Sequence, residues 1–458
     1  MIINESKLAR QIIGINKWVG NGAKGTLEWV TAMGKTFASF IIIKKLLEKD
    51  NTRTTIVVVP TIQLKDQWEF KLNKEKIKNV TVYVINTVIK NKHKCDLLIL
   101  DEIHGFASEK FKLVFEVVEY KFILGLTATI NRLDGKHDLL LSYSPIVDTI
   151  NIEEALREGW VSEFLEYNLG IELSEQDRLE YNELNKNFHK YFGFFGHDFN
   201  LAMDCCAKTN AEKYSQIHGL DPKLTAFRAN RFNYYMRERK TFLYRAKCKL
   251  NLVLEIINRF QLKTVTFSES TKFADTLTTQ LGEIATCYHS LLTTQIREVK
   301  VIKKYKRKPD KIIIKNIKYG KSKLQTEALK KFADNRFKVR VINTAKALDK
   351  GFDVEDVELA IISSSTTNPT QHIQRVGRAI RDYMYKSGER KGRRKIALII
   401  NIYIKDSQDE KWLIARQTDP KTKRPINPNV IYISDLNEIS YGQQLNVSES
   451  ANLSATTE

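Results

Sequence analysis

The chain of 458 residues is poor in cysteine, and its five cysteines, Cys95, Cys205, Cys206, Cys248 and Cys287, form no C-x-x-C pair. That spacing gives neither a zinc ribbon nor a disulfide framework, which fits a reducing cytosol. Long apolar runs are missing too. None approaches the roughly 20 residues of a membrane span, and the opening MIINESKLAR lacks the apolar core of a signal peptide. The expected location is the compartment of synthesis, the cytoplasm, with no membrane partner. No internal repeat, long low-complexity tract or nuclease-type carboxylate cluster stands out. A neutral charge balance is also absent: 74 Lys and Arg against 54 Asp and Glu leave +20. A polyanionic partner follows, because cations aligned on phosphates release condensed counterions. The length allows two or three domains, and the 42% hydrophobic content is that of a folded rather than a disordered chain.

EWVTAMGKTFASFIIIKKLL (28–47) reads as a strand, a tight turn at Ala32 to Gly34 and an apolar helix starting near Lys35. Gly34, Lys35 and Thr36 match the end of the phosphate-loop pattern G-x-x-x-x-G-K-[ST], although Trp29 stands where its first glycine belongs. The chemistry of such a loop resides in backbone N–H groups around phosphate, a lysine on the β and γ phosphates and a hydroxyl on Mg²⁺. Those parts are kept. TTIVVVPT (54–61), VTVYVINT (80–87) and CDLLILDEIH (95–104) are buried-strand runs. The last closes on Asp101 and Glu102, the Walker B arrangement in which one acid holds the Mg²⁺ shell and the next orients the attacking water. GNGAKG (20–25) is formally G-x-G-x-x-G, but it follows a helical pattern and precedes a strand, the reverse of a dinucleotide site, and reads as a turn.

DEIH (101–104) and GLTAT (125–129) resemble motifs II and III of superfamily 2 helicases. KTVTFSES (263–270), VRVINTAKALDKGFDV (339–354) and QHIQRVGRAIR (371–381) resemble their motifs IV, V and VI. Arg375, Arg378 and Arg381 are too many cations for an apolar helix unless they face an anion, read here as a γ phosphate. The resemblance covers about residues 8–405. GLTATINRLDG (125–135), WVSEFLEYNLGIELSEQDRLEY (160–181) and RERKTFLYRAKCKL (237–250) are similar to phage and bacterial DNA helicases of the repair and branch-migration group. It implies an α/β fold of two RecA-like parallel-sheet domains with a helical insertion between them. The first domain would span 1–150, the insertion 151–250, the second domain 251–405 and a C-terminal extension 406–458, its end from Gln443 disordered.

The resemblance also implies ATP and Mg²⁺ as cofactors, single-stranded and branched DNA as partner, and a monomer. Gly34, Lys35 and Thr36 would bind phosphates, with Thr36 and Asp101 on Mg²⁺ and Glu102 as catalytic base. Gln374 would touch the γ phosphate, and Arg378 and Arg381 would act as arginine fingers. His104, Thr127 and Thr129 would couple hydrolysis to motion. Gln11, preceded by Arg10, loosely matches the family's adenine-reading glutamine, and Asp349 and Gly351 belong to motif V, which senses ATP and DNA. Pro60, Thr61, Thr87, Ser268, Asn343 and Thr344 match strand-contacting positions, where short hydroxyl and amide side chains suit phosphate but equally suit strand-end capping. Two departures stand out. Trp29 is expected in the core rather than on the nucleotide, and Ala32 replaces a glycine where positive φ is costly.

IREVKVIKKYKRKPDKIIIKNIKYGKSK (296–323) has no counterpart in the family's second domain. From Arg297 to Lys323 it carries 12 Lys or Arg against Glu298 and Asp310, net +10. It reads as a β-hairpin with basic faces. Lys303, Lys304, Tyr305, Lys306, Arg307 and Lys308 at its turn are expected to meet duplex or junction, the alternative being a solvated insertion. The aromatic cluster FHKYFGFF (188–195) reads as a helical mini-core. Two other functions stay open: an RNA helicase, because sugar and phosphate contacts do not separate the nucleic acids, and a non-catalytic binding protein with a decayed ATPase fold.

Overall fold

A computed structural model of the chain describes residues 5–130, 135–303, 311–346, 354–364, 366–419 and 422–441. The first lobe is a six-stranded sheet of β1 (Lys24–Trp29), β2 (Thr55–Val59), β3 (Val80–Val84), β4 (His93–Asp101), β5 (Val118–Thr127) and β6 (Ile146–Ile150). Its strands are parallel in the order β3-β2-β4-β5-β1-β6. Helices cover both faces, so the strands are nearly unbroken apolar runs: every residue of β2 is buried. The order sets the C-terminal ends of β4, β5 and β1 side by side, with Asp101 opposite Leu126 and Thr127 opposite Glu28. Ligands bind such sheets outside the carboxyl ends of the strands.

Nine further strands follow in the described residues: β7 (Phe164–Ile171), β8 (Thr264–Ser268), β9 (Ala285–His289), β10 (Gln295–Lys303), β11 (Lys311–Tyr319), β12 (Val341–Ala345), β13 (Leu359–Ile362), β14 (Ala397–Ile404) and β15 (Ile431–Ile433). Seven of them make the second lobe's sheet, in the order β15-β7-β14-β13-β8-β12-β9, again parallel. Strands β10 and β11 pair only with each other, antiparallel from Gln295 opposite Tyr319 to Lys303 opposite Lys311. This is a tandem RecA-like α/β fold.

The helical insertion expected between the two domains lies instead within the second lobe, between β7 and β8: helices Glu175–Gly193, Phe199–Asp204, Lys208–His218 and Pro222–Arg245 enclose their own small core of Phe188, Phe195, Cys205, Ala229 and Phe232. The 188–195 cluster is therefore packing: the rings of Phe192 and Phe232 stack at 4.9 Å. Two segments differ from their sequence reading. Residues 164–171, read as part of the insertion, form β7, because their eight-residue pairing with β14 joins segments more than 220 residues apart. The run 80–87 stops being a strand at Val84, and Ile85–Val88 turns into a short helix that buries Ile85 and Val88. Among the described residues no helix is long and apolar enough to cross a membrane.

Candidate active site

The helix Lys35–Lys49 starts just beyond the end of β1, and its N-cap residue Gly34 is left-handed (φ 81°) with no side-chain cap. The first N–H groups of the helix are thereby left for an outside acceptor, the arrangement that receives phosphate. Ala32 is left-handed as well (φ 74°), so the loop takes the glycine-like conformation in spite of its Cβ. A Cβ on Gly34 would lie 2.5 Å from Nε2 of Gln11. Buried Gln11 donates to the Met33 carbonyl at 2.6 Å and so braces the loop from below. Its neighbour Arg10 is held elsewhere, by Asp148 at 2.7 Å and Glu154 at 2.8 Å.

Trp29 is fully buried and donates its indole N–H to Asp148 at 2.7 Å. It packs in the core. The Lys35 ammonium donates to the Trp29 carbonyl at 2.7 Å. Burial lowers its pKa, Glu102 and Asp101 pull it up, and the charges of Arg378 and Arg381 press it down again. Thr36 is half-buried in the first helical turn.

Asp101 ends β4 and accepts the indole N–H of Trp68 at 2.8 Å. Burial and then the neighbouring Glu102 raise its carboxyl to about 6. Glu102 is left-handed (φ 55°) and swings the chain into the turn Ile103–Ala107. Its carboxylate lies 3.4 Å from Nδ1 of His104 and accepts from Nε2 of Gln374 at 3.3 Å. Thr127 donates its hydroxyl proton to the Thr129 carbonyl at 2.6 Å, leaving its oxygen to accept from Nδ1–H of His104 at 3.1 Å. Glu102, His104, Thr127 and Thr129 thus form one polar path from the end of β4 to the end of β5.

Gln374 belongs to the other lobe, on the helix Pro369–Ala379. That helix crosses the cleft so closely that a Cβ on Gly377 would stand 2.4 Å from the Thr31 side chain. Arg378, on the same helix, and Arg381, just past its end, bring positive charge to the Lys35 side of the cleft, and burial lowers Arg381 to about 10. Arg375 needs correction. It is fully buried and donates to Glu269 at 2.7 Å and to the Ser364 carbonyl at 3.1 Å, so its anion is Glu269 within its own lobe.

The cleft fits a magnesium-bound triphosphate on its own terms: an uncapped helix N-terminus and three cations for phosphate, with adjacent carboxylates for a hard divalent cation. Among the described residues another group of metal-capable side chains is Asp275, Cys287 and His289. The Leu291 N–H fills Nδ1 of His289 at 3.2 Å, the Nε2 proton then faces Asp275 at 2.8 Å, and burial pushes the Cys287 thiol up to about 12. That group satisfies itself.

The strand-contact candidates divide. Pro60 and Thr61 are half-buried at the end of β2, where the Thr61 hydroxyl caps the helix Ile62–Lys74 by accepting from Leu64 N–H at 3.3 Å, and Thr87 is exposed. Ser268, Asn343 and Thr344 are not presented to a strand. They are buried, and their side chains are filled by the Thr344 carbonyl, by Thr266 and Thr278, and by the Thr266 carbonyl. Lys303 ends β10, while Lys304, Tyr305, Lys306, Arg307, Lys308, Asp349 and Gly351 lie outside the described residues. Sequence reasoning missed Trp68 and Asp148, whose roles arise from contacts 33 and 119 residues apart.

Comparison with known proteins agrees with this class. Residues 317–383 match the helicase conserved C-terminal domain. Residues 6–96 and 71–132 match the res subunit of type III restriction enzymes. The DNA 3'-5' translocase XPB2 of Sulfurisphaera tokodaii is 25% identical over 411 residues, 84% of this chain and 79% of that protein. The structure of S. cerevisiae Dbp5 bound to RNA and ADP BeF3 shares the fold, with a TM-score of 0.52 at 12% identity over 96% of this chain and 92% of that one. The Pyrococcus furiosus Hef helicase domain aligns over 90% of this chain and 99% of its own, at 14% identity and a TM-score of 0.48. These matches, one over each lobe, support a superfamily 2 helicase, an ATP-hydrolysing enzyme.

Proposed function

We propose that this chain is an ATP-driven, Mg²⁺-requiring motor that moves on DNA and remodels branched DNA. The observation that carries the reading is the 3.3 Å contact of Gln374 with Glu102, which sets the arginine-bearing helix of one lobe on the acidic strand end of the other. In this reading Lys35 and the uncapped helix N-terminus bind the β and γ phosphates, and Thr36 and Asp101 hold Mg²⁺, which neutralises phosphate charge. Glu102 takes the proton of the attacking water and Gln374 orients the γ phosphate, while Arg378 and Arg381 stabilise charge as it develops. Because these groups come from two lobes, the triphosphate draws the lobes together and its hydrolysis releases them. The path through His104, Thr127 and Thr129 carries that change to the next strand end.

DNA as track is supported by the net charge of +20 and by the likeness to a DNA translocase. Strands β10 and β11 stand apart from both sheets, which suits a basic hairpin that reaches junction phosphates. Steady-state ATP hydrolysis is the test, for wild type, Glu102→Gln and a deletion of 300–318, without nucleic acid and with single-stranded DNA, duplex, a four-way junction and RNA. Stimulation by DNA above RNA, abolished by Glu102→Gln and weakened for the junction by the deletion, is expected. Equal turnover with and without every nucleic acid would overturn the motor.

A further inference from the structure

Trp68 belongs to none of the motifs that define the class, yet it makes a direct contact with the acidic end of β4. It sits on the helix Ile62–Lys74 and is 2% exposed. Its indole N–H reaches Oδ2 of Asp101 at 2.8 Å, and its ring meets that of Phe40 edge-on at 5.6 Å and 85°. Phe40 lies on the helix that begins with Lys35. The donor is therefore wedged between the phosphate-binding helix and the carboxylate, with no freedom to swing aside. The same helix is capped by Thr61, itself a candidate strand contact, and Gln63 in its first turn lies close to the Tyr288 hydroxyl of β9 in the other lobe. One rigid element thus touches the strand-facing surface, the second lobe and Asp101.

We infer that Trp68 is a positioning residue for the divalent cation: it fixes the Asp101 carboxylate so that one oxygen is tied to the indole and the other is aimed at the metal, and it links that aim to the strand-facing end of its helix. The inference rests on Asp101 being the Mg²⁺ ligand of the proposed function. A carboxylate with one oxygen held by a neutral donor keeps its charge and loses its rotation, which is what a ligand to a hard cation requires. A tryptophan suits the task because a single N–H on a large, locked ring gives direction without adding charge.

The test uses the full chain and Mn²⁺ as a spectroscopic probe, with free Mn²⁺ measured by electron paramagnetic resonance in the presence of ADP. Trp68→Phe keeps the ring against Phe40 and removes only the donor. It should weaken Mn²⁺ by about tenfold, the usual effect of losing an outer hydrogen bond, leave metal-free ADP binding unchanged, and lower severalfold the ratio of DNA-stimulated to unstimulated hydrolysis. Trp68→His, which retains an N–H, should recover part of both. Added to Asp101→Asn, Trp68→Phe should change Mn²⁺ affinity less than twofold, since it acts through the carboxylate. Wild-type Mn²⁺ affinity in Trp68→Phe overturns the inference. Insensitivity of Mn²⁺ to Asp101→Asn alone would instead overturn Asp101 as the ligand, so the two failures are separable.

Discussion

At Ala32 the phosphate loop accepts φ 74° in a residue with a Cβ, and two positions later Gly34 accepts φ 81° where a Cβ would collide with Gln11. The two left-handed positions are not equivalent. At Ala32 only the local conformation is strained, by roughly 1 kcal/mol; at Gly34 the space itself is taken. Ala32→Gly should therefore raise stability slightly, by less than about 1 kcal/mol once the extra freedom of glycine in the unfolded chain is subtracted, with nucleotide affinity kept. Urea midpoints decide the point, and a loss above about 1 kcal/mol would mean that the methyl is packed rather than strained. Trp29 explains how the loop does without its usual first glycine. That side chain points away from the phosphate side, into the core and onto Asp148, so the missing glycine costs the lysine nothing.

The element that carries Gln374 and Arg378 is fastened from behind by a buried polar cluster. Glu166 of β7 accepts from His372 of the arginine-bearing helix at 3.1 Å, from Asn401 of β14 and Asn427 at 2.9 Å each, and from Gln417 at 3.1 Å. Burial alone would raise its carboxyl, but the His372, Asn427 and Asn401 contacts win and hold it at about 2, below its ordinary 4.5. A depressed carboxyl stabilises the fold above its unfolded pKa, and that contribution fades as pH falls from 4.5 towards 2. Glu166→Gln should lose about 1 to 3 kcal/mol at neutral pH, because it replaces a carboxylate shared by several buried donors with an amide that cannot accept from them all, and should show a flatter loss of stability between pH about 5 and about 3 than wild type. Denaturant titrations across that range give the slopes, and parallel curves would remove Glu166 from the account. None of this cluster was legible in the sequence, and the reason is distance along the chain. Strands β1, β2, β4 and β8 announce themselves as local apolar runs closed by turn residues, and the sites at Lys35 and Asp101 follow from local spacing. Whether β7 joins a sheet, whether Arg375 faces phosphate or Glu269, and whether Ser268 or Asn343 reaches the surface depend on partners brought up by the tertiary fold.

At the scale of the whole molecule Lys35, Glu102, Gln374 and Arg378 meet only while the two lobes touch, and one glycine sets how closely they do. Gly377 has no side chain where the Thr31 side chain presses on the arginine-bearing helix, and a Cβ there would stand 2.4 Å from Cβ and 2.6 Å from Oγ1 of Thr31. Neither neighbour can yield cheaply, because Thr31 is anchored between buried Val30 and the bent loop at Ala32, and Gly377 lies in the last turn of its helix between buried Val376 and Arg378. Gly377→Ala should therefore move lobe against lobe rather than deform either. Gln374 would leave Glu102, and Arg378 and Arg381 would stand off from Lys35. A misplacement of that kind costs on the order of 100-fold in turnover, while the denaturation midpoint should hardly change, since the strain is relieved by opening the cleft. Steady-state hydrolysis of Gly377→Ala checks the first part and urea unfolding the second. The double variant Thr31→Gly with Gly377→Ala removes the atoms that collide and should regain most of the lost rate. A double variant as slow as Gly377→Ala alone would mean that the glycine serves the helix itself, and that closure of the lobes is set by other contacts.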